Sequence, residues 1–202
     1  MRFPCVTRPL AAMAVILGLS ACAGSFRTDY DAPVASDNWV VSDIHVTVPT
    51  SLTVSEKETF VPVADIVWRE DPPGDRYAQV AGVMEAAIAK GASDLNGSRP
   101  VRLDVTMARF HAMTFTAETR APAGVHDIEF TITARDAETG EILAGPDYIE
   151  ASFPAMTRGA MAAARAHGET QKSQIIDHVA RTIAGWLGVG PDIRQRFSSV
   201  GA

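Results

Sequence analysis

The sequence predicts an α+β fold, a two-layer sandwich in which a largely antiparallel sheet of about four to five strands carries two main helices on one face. Residues 101–107 and 127–135 alternate between apolar and polar side chains, the pattern of a strand with one buried face. Residues 77–95 and 175–187 place apolar side chains every three or four positions, the pattern of a helix with one buried stripe. Strands joined by a hairpin and flanked by helices favour an antiparallel sheet covered on one side.

The amino terminus has the order of residues found in a bacterial lipoprotein signal peptide. Arg2 and Arg8 precede an uncharged apolar run over 10–19, which is too short to span a bilayer because a spanning helix needs about 20 residues. The run ends in a lipobox, the site of cleavage and acylation, formed by Leu19, Ser20, Ala21 and Cys22. We predict a signal peptide over 1–21 and a lipid on Cys22. The alternatives are an ordinary secretory leader and a buried core helix.

A chain that begins at Cys22 has 181 residues, enough for one domain with its own core. Cys5 leaves with the signal peptide and Cys22 carries lipid, so disulfides and thiol catalysis are excluded. Loss of Arg2 and Arg8 leaves 16 basic residues against 24 acidic ones, a net charge of −8. This balance argues against nucleic acid as a partner and against electrostatic docking on anionic lipid.

Membrane attachment is therefore expected through the lipid on Cys22, where each buried methylene contributes about 0.8 kcal/mol. The resemblance to bacterial lipoproteins implies multiple acylation at this cysteine. In Gram-negative lipoproteins, Ala rather than Asp at position 23 fits sorting to the outer membrane. We expect the protein on the inner leaflet of that membrane, facing the periplasm.

The first elements follow from local pattern. Residues 22–38 are polar, small and without period, which predicts a flexible tether before a single domain over 39–190. Residues 39–48 predict a half-buried strand. Residues 61–68 predict a shorter strand or an extended segment, and Pro62 favours an edge position.

Helix and strand then alternate with clear boundaries. Asp75 follows two prolines and predicts the N-cap of the 77–95 helix, which Asn96–Gly97 would end. The strand at 101–107 loses its phase afterwards, which predicts a bulge or an end near Ala108. Residues 111–124 have no sustained period and predict a long, functional or mobile connection.

The second half of the chain predicts a hairpin followed by helices. The 127–135 strand leads into a turn at 136–141, and the returning arm runs to about residue 153 with a bend at Gly145–Pro146. Alanine-rich helical sequence begins at Pro154, and the 175–187 helix follows it. Residues 191–202 predict a frayed tail.

Two segments carry a family resemblance. Residues 65–80, from Asp-Ile-Val-Trp to Gly-Asp-Arg-Tyr-Ala-Gln-Val, resemble, together with Glu-Thr-Gly-Glu at 138–141, a family of uncharacterised alphaproteobacterial lipoproteins defined by a domain of unknown function. The likeness covers about 40–190. In architecture alone, the chain is more distantly similar to auxiliary lipoproteins of envelope lipid-transport systems. Neither resemblance implies a catalytic residue.

No motif in the sequence predicts catalysis, a cofactor or a metal. Asp127 and Glu129 share a strand face, where a solvated surface is the favoured interpretation over acid–base chemistry. His126 points to the opposite face. The other histidines lack the spacing of zinc ligands, and they are His45, His111, His167 and His178. Nucleophile motifs and glycine-rich phosphate loops are absent from the sequence.

The candidate partner surface consists of two segments. In the first, Trp68, Arg69 and Arg76 would form an exposed anchor patch, since Trp and Arg are enriched at binding hot spots. The alternative is structural, with Trp68 closing the core and Arg76 paired to a nearby aspartate. The second segment is the 111–124 connection, with Phe115 and Arg120.

These observations favour a lipid-anchored periplasmic lipoprotein that acts as a non-enzymatic binding or assembly module, with an envelope protein as a possible partner. A lipid-binding accessory is the first alternative and would need an apolar groove between helix and sheet. A periplasmic enzyme with a site in the cleft beside 111–124 is the second alternative.

Overall fold

Eight strands form one open, mixed sheet, and four helices accompany it, in a computed structural model that describes residues 25–34 and 36–198. The strands are β1 (Ser25–Asp29), β2 (Trp39–Thr47), β3 (Ile66–Val67), β4 (Arg99–His111), β5 (Gly124–Asp136), β6 (Ile142–Ala151), β7 (Phe153–Ala155) and β8 (Gln195–Ser198). The helices are α1 (Arg76–Gly91), α2 (Phe115–Arg120), α3 (Arg158–Ala166) and α4 (Gln171–Trp186). The predicted α+β class is confirmed, but the sheet is larger than the four to five strands expected.

The sheet has the order β2-β4-β5-β6-β1-β8, with β3 beside the end of β4 and β7 beside the start of β5. β2 and β3 run parallel to β4, and the other pairs are antiparallel. A parallel neighbour requires a crossover connection, which α1 supplies between β2 and β4. The sheet is therefore largely antiparallel, as predicted, except where β2 and β3 pair with β4.

The core lies between one sheet face and the pair α1 and α4. Alternate residues of β4 and β5 are almost completely buried there, namely Val101, Leu103, Val105, Met107, Ile128, Phe130, Ile132 and Ala134. The helical stripes pack on them, with Val80, Met84 and Ile88 of α1 and Ile175, Val179 and Ile183 of α4. Both predicted alternations are confirmed, and burial of one face is their physical cause.

α1 begins where the sequence predicts and ends earlier. The Asp75 side chain accepts hydrogen bonds from the backbone N–H groups of Tyr77 and Ala78, as expected of an N-cap. The helix ends at Gly91 rather than at Asn96–Gly97. Gly91 lies where α1 crosses α4, and a Cβ atom there would approach the carbonyl oxygen of Ala180 to 2.4 Å.

The prediction of a flexible tether over 22–38 is wrong for the described part of that segment. β1 pairs with β6 on one side and with β8 on the other. Thr28 and Tyr30 are buried, and the Val34 N–H donates to the carbonyl oxygen of Trp186 at 2.9 Å. Pairing on both sides and these tertiary contacts place the segment inside the domain.

Two further boundaries differ from the prediction. β8 lies within the tail expected to be frayed, because pairing with β1 satisfies its backbone hydrogen bonds. The long connection at 111–124 contains α2. The predicted signal peptide lies outside the described residues, and so do the predicted lipobox residues Leu19, Ser20, Ala21 and Cys22.

Candidate functional site

A groove of about 610 Å³ opens on the sheet face opposite α1 and α4, at the end where β4 finishes and β5 starts. Its volume lies within the range of small-molecule sites, about 300–1,000 Å³. The groove is lined by Phe26, Thr53, Phe60, Val61, Pro62, Val63, Ala64, Asp65, Arg109, His111, Ala112, Met113, Ala117, Ala121, Ala123, Gly124, Val125 and Asp127. It lies beside the 111–124 connection, where a cleft was predicted.

The β-bulge of β4 turns two polar side chains into this groove. The register with β5 shifts between Met107 and Arg109, so Phe110 rather than Arg109 continues the buried face. Arg109 and His111 therefore point to the groove side of the sheet. If Ala108 were paired in regular register instead of forming a bulge, the alternation of β4 would direct Arg109 and His111 into the core. The sequence pattern predicted this bulge, but it did not connect the bulge with the cleft beside 111–124.

Short side chains keep the space under α2 open. Ala117 of α2 and Ala121, the residue that follows the helix, line the groove, and both are buried. Gly124 begins β5 beneath them, and a Cβ atom there would come within 2.5 Å of the Met113 Sδ atom. The groove is therefore a gap between a helix and the sheet, with predominantly apolar walls.

The charged groups in the groove have partners within the protein. The Arg109 Nε atom lies 3.0 Å from the Asp127 Oδ2 atom, and the Ser152 hydroxyl donates to Asp127 Oδ1 at 2.8 Å. Asp65 accepts hydrogen bonds from the backbone N–H and the hydroxyl of Thr53 at 2.8 and 2.7 Å. These two bonds, the backbone one first, hold the pKa of Asp65 below its ordinary value.

A loop with exposed apolar side chains forms one rim of the groove. Phe60, Val61 and Val63 are 55%, 77% and 100% exposed. The hydroxyl of Thr114, the N-cap of α2, donates to the carbonyl oxygen of Thr59 at 2.8 Å, so the loop adjoins α2. Phe115, the first residue of α2, is 46% exposed.

The structure does not bring the first predicted partner segment to the surface. Trp68 is 1% exposed, and its indole N–H donates to Asp71 at 2.8 Å. Arg76 is also buried and donates from Nε to Glu56 at 2.8 Å, while Arg69 pairs with Glu56 and Glu58. An exposed anchor patch around Trp68 is therefore wrong, because burial and ion pairs occupy all three side chains.

Asp71 illustrates how this segment serves the core rather than a partner. Burial acts to raise the pKa of Asp71, but hydrogen bonds from Lys172 and Trp68 outweigh it, so the pKa lies below its ordinary value. The Lys172 ammonium lies 2.9 Å from Asp71 Oδ1 and ties the segment to α4. The structural interpretation of Trp68 thus agrees with its contacts, although Arg76 pairs with Glu56 instead of a nearby aspartate.

The second predicted segment remains at the surface. Phe115 and Arg120 lie at the two ends of α2, and both are exposed. The Arg120 carbonyl oxygen accepts a 2.8 Å hydrogen bond from Arg158 of α3. The sequence did not indicate Phe26 or residues 60–65 as part of this site. Their only signal was a short apolar run at 60–64.

Among the described residues, no helix is long and apolar enough to cross a membrane. The same residues contain no group of three or more His, Cys, Asp or Glu side chains placed to hold a metal ion.

Solved structures similar to this chain share little sequence with it. A DUF330 protein from Xanthomonas campestris is 12% identical over 79% of this chain and 91% of that chain, with a TM-score of 0.43. A candidate lipoprotein from Caulobacter crescentus is 16% identical over 54% of this chain and 83% of that chain, with a TM-score of 0.35. The PelC dodecamer from Paraburkholderia phytofirmans is 10% identical over 80% and 97%, with a TM-score of 0.33. TM-scores this low carry no functional conclusion.

No curated protein matches the chain. A family model does match it, over residues 39–202, which include all of the described domain except β1 and the residues up to Asn38. That model is described as a family of unknown function, and the chain belongs to this family, DUF6778.

Proposed function

We propose that this protein is an alphaproteobacterial lipoprotein, anchored by a lipid on Cys22 to the periplasmic side of the outer membrane, whose domain binds the acyl chain of a lipid without catalysing a reaction. The lipobox supports the anchor. The groove between α2 and the sheet supports the binding role, since it is the feature that a lipid-binding accessory requires.

The composition of the groove favours an apolar ligand. Five of its 18 lining residues are polar, and the others present aliphatic, aromatic or glycine surfaces. Removing apolar ligand surface from water contributes about 25 cal/mol per Å². The lining residues include one arginine, Arg109, and two aspartates, Asp65 and Asp127, so the groove has no excess of positive charge to attract an anionic headgroup. A neutral or zwitterionic lipid fits this balance.

The polar contacts favour binding over catalysis. Arg109 is paired with Asp127, and the His111 Nε2 atom lies 3.1 Å from the carbonyl oxygen of Pro62. A general base would have to give up such a contact before it could act on a substrate. These side chains instead serve to fix the walls of the groove.

Direct binding of a phosphatidylcholine analogue with a fluorescent acyl chain tests the binding role. Ala123 lines the groove and is exposed, so Ala123→Trp would fill the groove without overpacking the core. We expect this variant to bind the analogue at least about tenfold more weakly, a loss of 1.4 kcal/mol. The matched control is Ala86→Trp on the exposed side of α1. Equal affinity of the two variants would contradict the proposal.

Metabolic labelling with a fatty-acid probe tests the anchor separately. Wild-type protein should carry the label, and Cys22→Ala should lose it. Label that persists undiminished in the Cys22→Ala variant would place the acyl group on another residue and contradict the anchor at Cys22.

A further inference from the structure

We propose that four exposed side chains, Phe60, Val61, Val63 and Phe115, form an apolar tip that inserts into the interface of the bilayer holding the Cys22 lipid, so that the groove opens towards that leaflet. The proposal rests on the proposed function for the lipid at Cys22. It adds a second, non-covalent contact with the membrane and an orientation of the domain.

The apolar tip gathers exposed hydrophobic surface at one place. In the described part of the chain, seven large hydrophobic side chains are exposed, and four of them belong to the tip. Val63 is 100% exposed and Val61 is 77% exposed. Clustered apolar exposure of this kind marks a membrane or protein contact rather than a solvated surface.

Hydrogen bonds on both sides hold the tip to the domain. The Thr114 hydroxyl donates to the Thr59 carbonyl oxygen at 2.8 Å, and the Thr116 N–H donates to Glu58 Oε2 at 3.2 Å. On the other side, the Pro62 carbonyl oxygen lies 3.1 Å from His111 Nε2. The loop is thereby fixed to α2 and β4, and its side chains project from a supported backbone.

The start of β1 brings the lipid attachment to the same place. Phe26 lines the groove together with Phe60, Val61 and Val63. Cys22 precedes Ser25 by three residues, which span at most about 11 Å when fully extended. Because β1 pairs with both β6 and β8, its start is fixed relative to the domain. The bilayer surface therefore has to lie beside the groove, where the apolar tip projects.

Charge selects an uncharged bilayer surface over an anionic one. The carboxylates that flank the tip are already engaged, with Glu58 2.5 Å from the Arg69 Nε atom and Asp65 bonded to Thr53. The mature chain carries a net charge of −8, which anionic lipid would repel. We therefore infer docking on zwitterionic lipid, driven by apolar side chains in the interface.

Depth-dependent fluorescence quenching tests this inference on the lipidated full-length protein. With Cys22 acylated, the mature chain has no free thiol, so Val63→Cys would supply one labelling site for an environment-sensitive fluorophore. The labelled protein is reconstituted in vesicles of phosphatidylethanolamine and phosphatidylcholine, with and without brominated acyl chains. The matched control is Ile142→Cys, which is 49% exposed and lies at the opposite end of the β5–β6 hairpin.

We expect brominated lipid to quench the fluorophore at position 63 at least about twofold more than the fluorophore at 142. Equal quenching would overturn membrane docking, and the proposed function would survive it if the groove still bound the fluorescent phosphatidylcholine analogue. Protection of position 63 in cell envelopes without quenching in vesicles would indicate a protein partner instead, and would also overturn docking. A wild-type chain that takes up the thiol label at Cys22 would refute the anchor itself.

Discussion

Glu118 accepts two hydrogen bonds from Arg165, with 3.0 Å between Oε1 and Nε and 2.8 Å between Oε2 and Nη2. The pair joins α2 to α3, and Gln171 of α4 donates to the same carboxylate at 2.5 Å. A helix of six residues has little stability of its own, so these contacts position α2 over the groove. Hydrogen bonds to Glu70 and Glu118 raise the pKa of Arg165 further above its ordinary value.

Replacing Glu118 with alanine should loosen α2. Glu118 is 6% exposed, and its loss removes the acceptor of two hydrogen bonds from Arg165 and one from Gln171, while Arg165 keeps Glu70 and the Gln171 amide keeps the Met113 carbonyl oxygen. We expect the free energy of unfolding to fall by about 2 kcal/mol, less than for a fully buried pair because Arg165 is partly exposed. Urea unfolding measures this loss, with Glu138→Ala in the exposed 136–141 turn as the control. Identical midpoints for the two variants would show that the ion pair does not position α2.

A side chain at Gly91 should separate α1 from α4. A Cβ atom there would lie 2.4 Å from the Ala180 carbonyl oxygen and 2.9 Å from the Ile183 Cβ atom. We expect Gly91→Ala to destabilise the fold by about 1–3 kcal/mol in thermal or urea unfolding. Gly82→Ala on the same helix meets no atom within 4 Å and should stabilise by about 0.5–1 kcal/mol. Stabilisation by both substitutions would contradict the close approach of the helices.

Two buried histidines should make stability depend on pH. Burial, followed by the charge of His178, lowers the pKa of His126 to about 3, and burial lowers that of His178 to about 4. The unfolded chain, with a pKa of about 6.5, takes up protons first as the pH falls. The contribution of these two histidines to the free energy of unfolding is therefore fully present above about pH 6.5. It is lost as the pH falls towards their folded pKa values, by up to about 1.4 kcal/mol per pH unit for each histidine.

Substitution of His126 isolates its share of this effect. Neither ring nitrogen of His126 has a hydrogen-bond partner among the described residues, and the ring lies 4.8 Å from that of Phe153. His126→Phe should keep this aromatic contact and flatten the dependence of unfolding free energy on pH between 6 and 4.5. An unchanged slope would mean that other groups, such as the paired aspartates, dominate the acid response.

Pairing of β1 on both sides should protect its backbone from proteolysis. Arg27 lies in the middle of β1, where it pairs with Arg196 of β8, and its guanidinium contacts Glu150. We expect trypsin to spare the Arg27–Thr28 bond in the folded protein, because cleavage requires an unpaired backbone. An Asp29→Pro variant, which cannot donate a hydrogen bond from residue 29 and leaves Arg27–Thr28 as a bond that trypsin can cleave, should be cut there. Rapid cutting of the wild type at this bond would contradict the pairing of β1 and support the predicted flexible tether over 22–38.

The elements that sequence patterns predicted well are those whose pattern records burial on one side. The alternation in β4 and β5 and the stripes of α1 and α4 arise because one face packs on the core. The bulge near Ala108 was also predictable, since the phase of apolar residues changes there. Local patterns predict local structure when each residue's environment repeats along the element.

The remaining elements depend on partners far away in the chain. β1 has a polar sequence and becomes a strand only because β6 and β8 supply its hydrogen bonds. The residue type of Trp68 suggested a binding anchor. In the structure its ring packs against Phe110 and its indole N–H donates to Asp71 inside the fold. Residue type cannot distinguish a buried tryptophan from an exposed one, because both environments favour a large aromatic ring.

By itself, the sequence determined the predicted processing site at Cys22, the acidic charge and the core elements, since each follows from residues adjacent in the chain or repeated at a fixed period. Only the tertiary structure decided that the start of β1, the apolar loop at 60–63 and α2 meet around one groove. The physical reason is that strand pairing and the Arg109–Asp127 contact join segments that lie far apart along the chain.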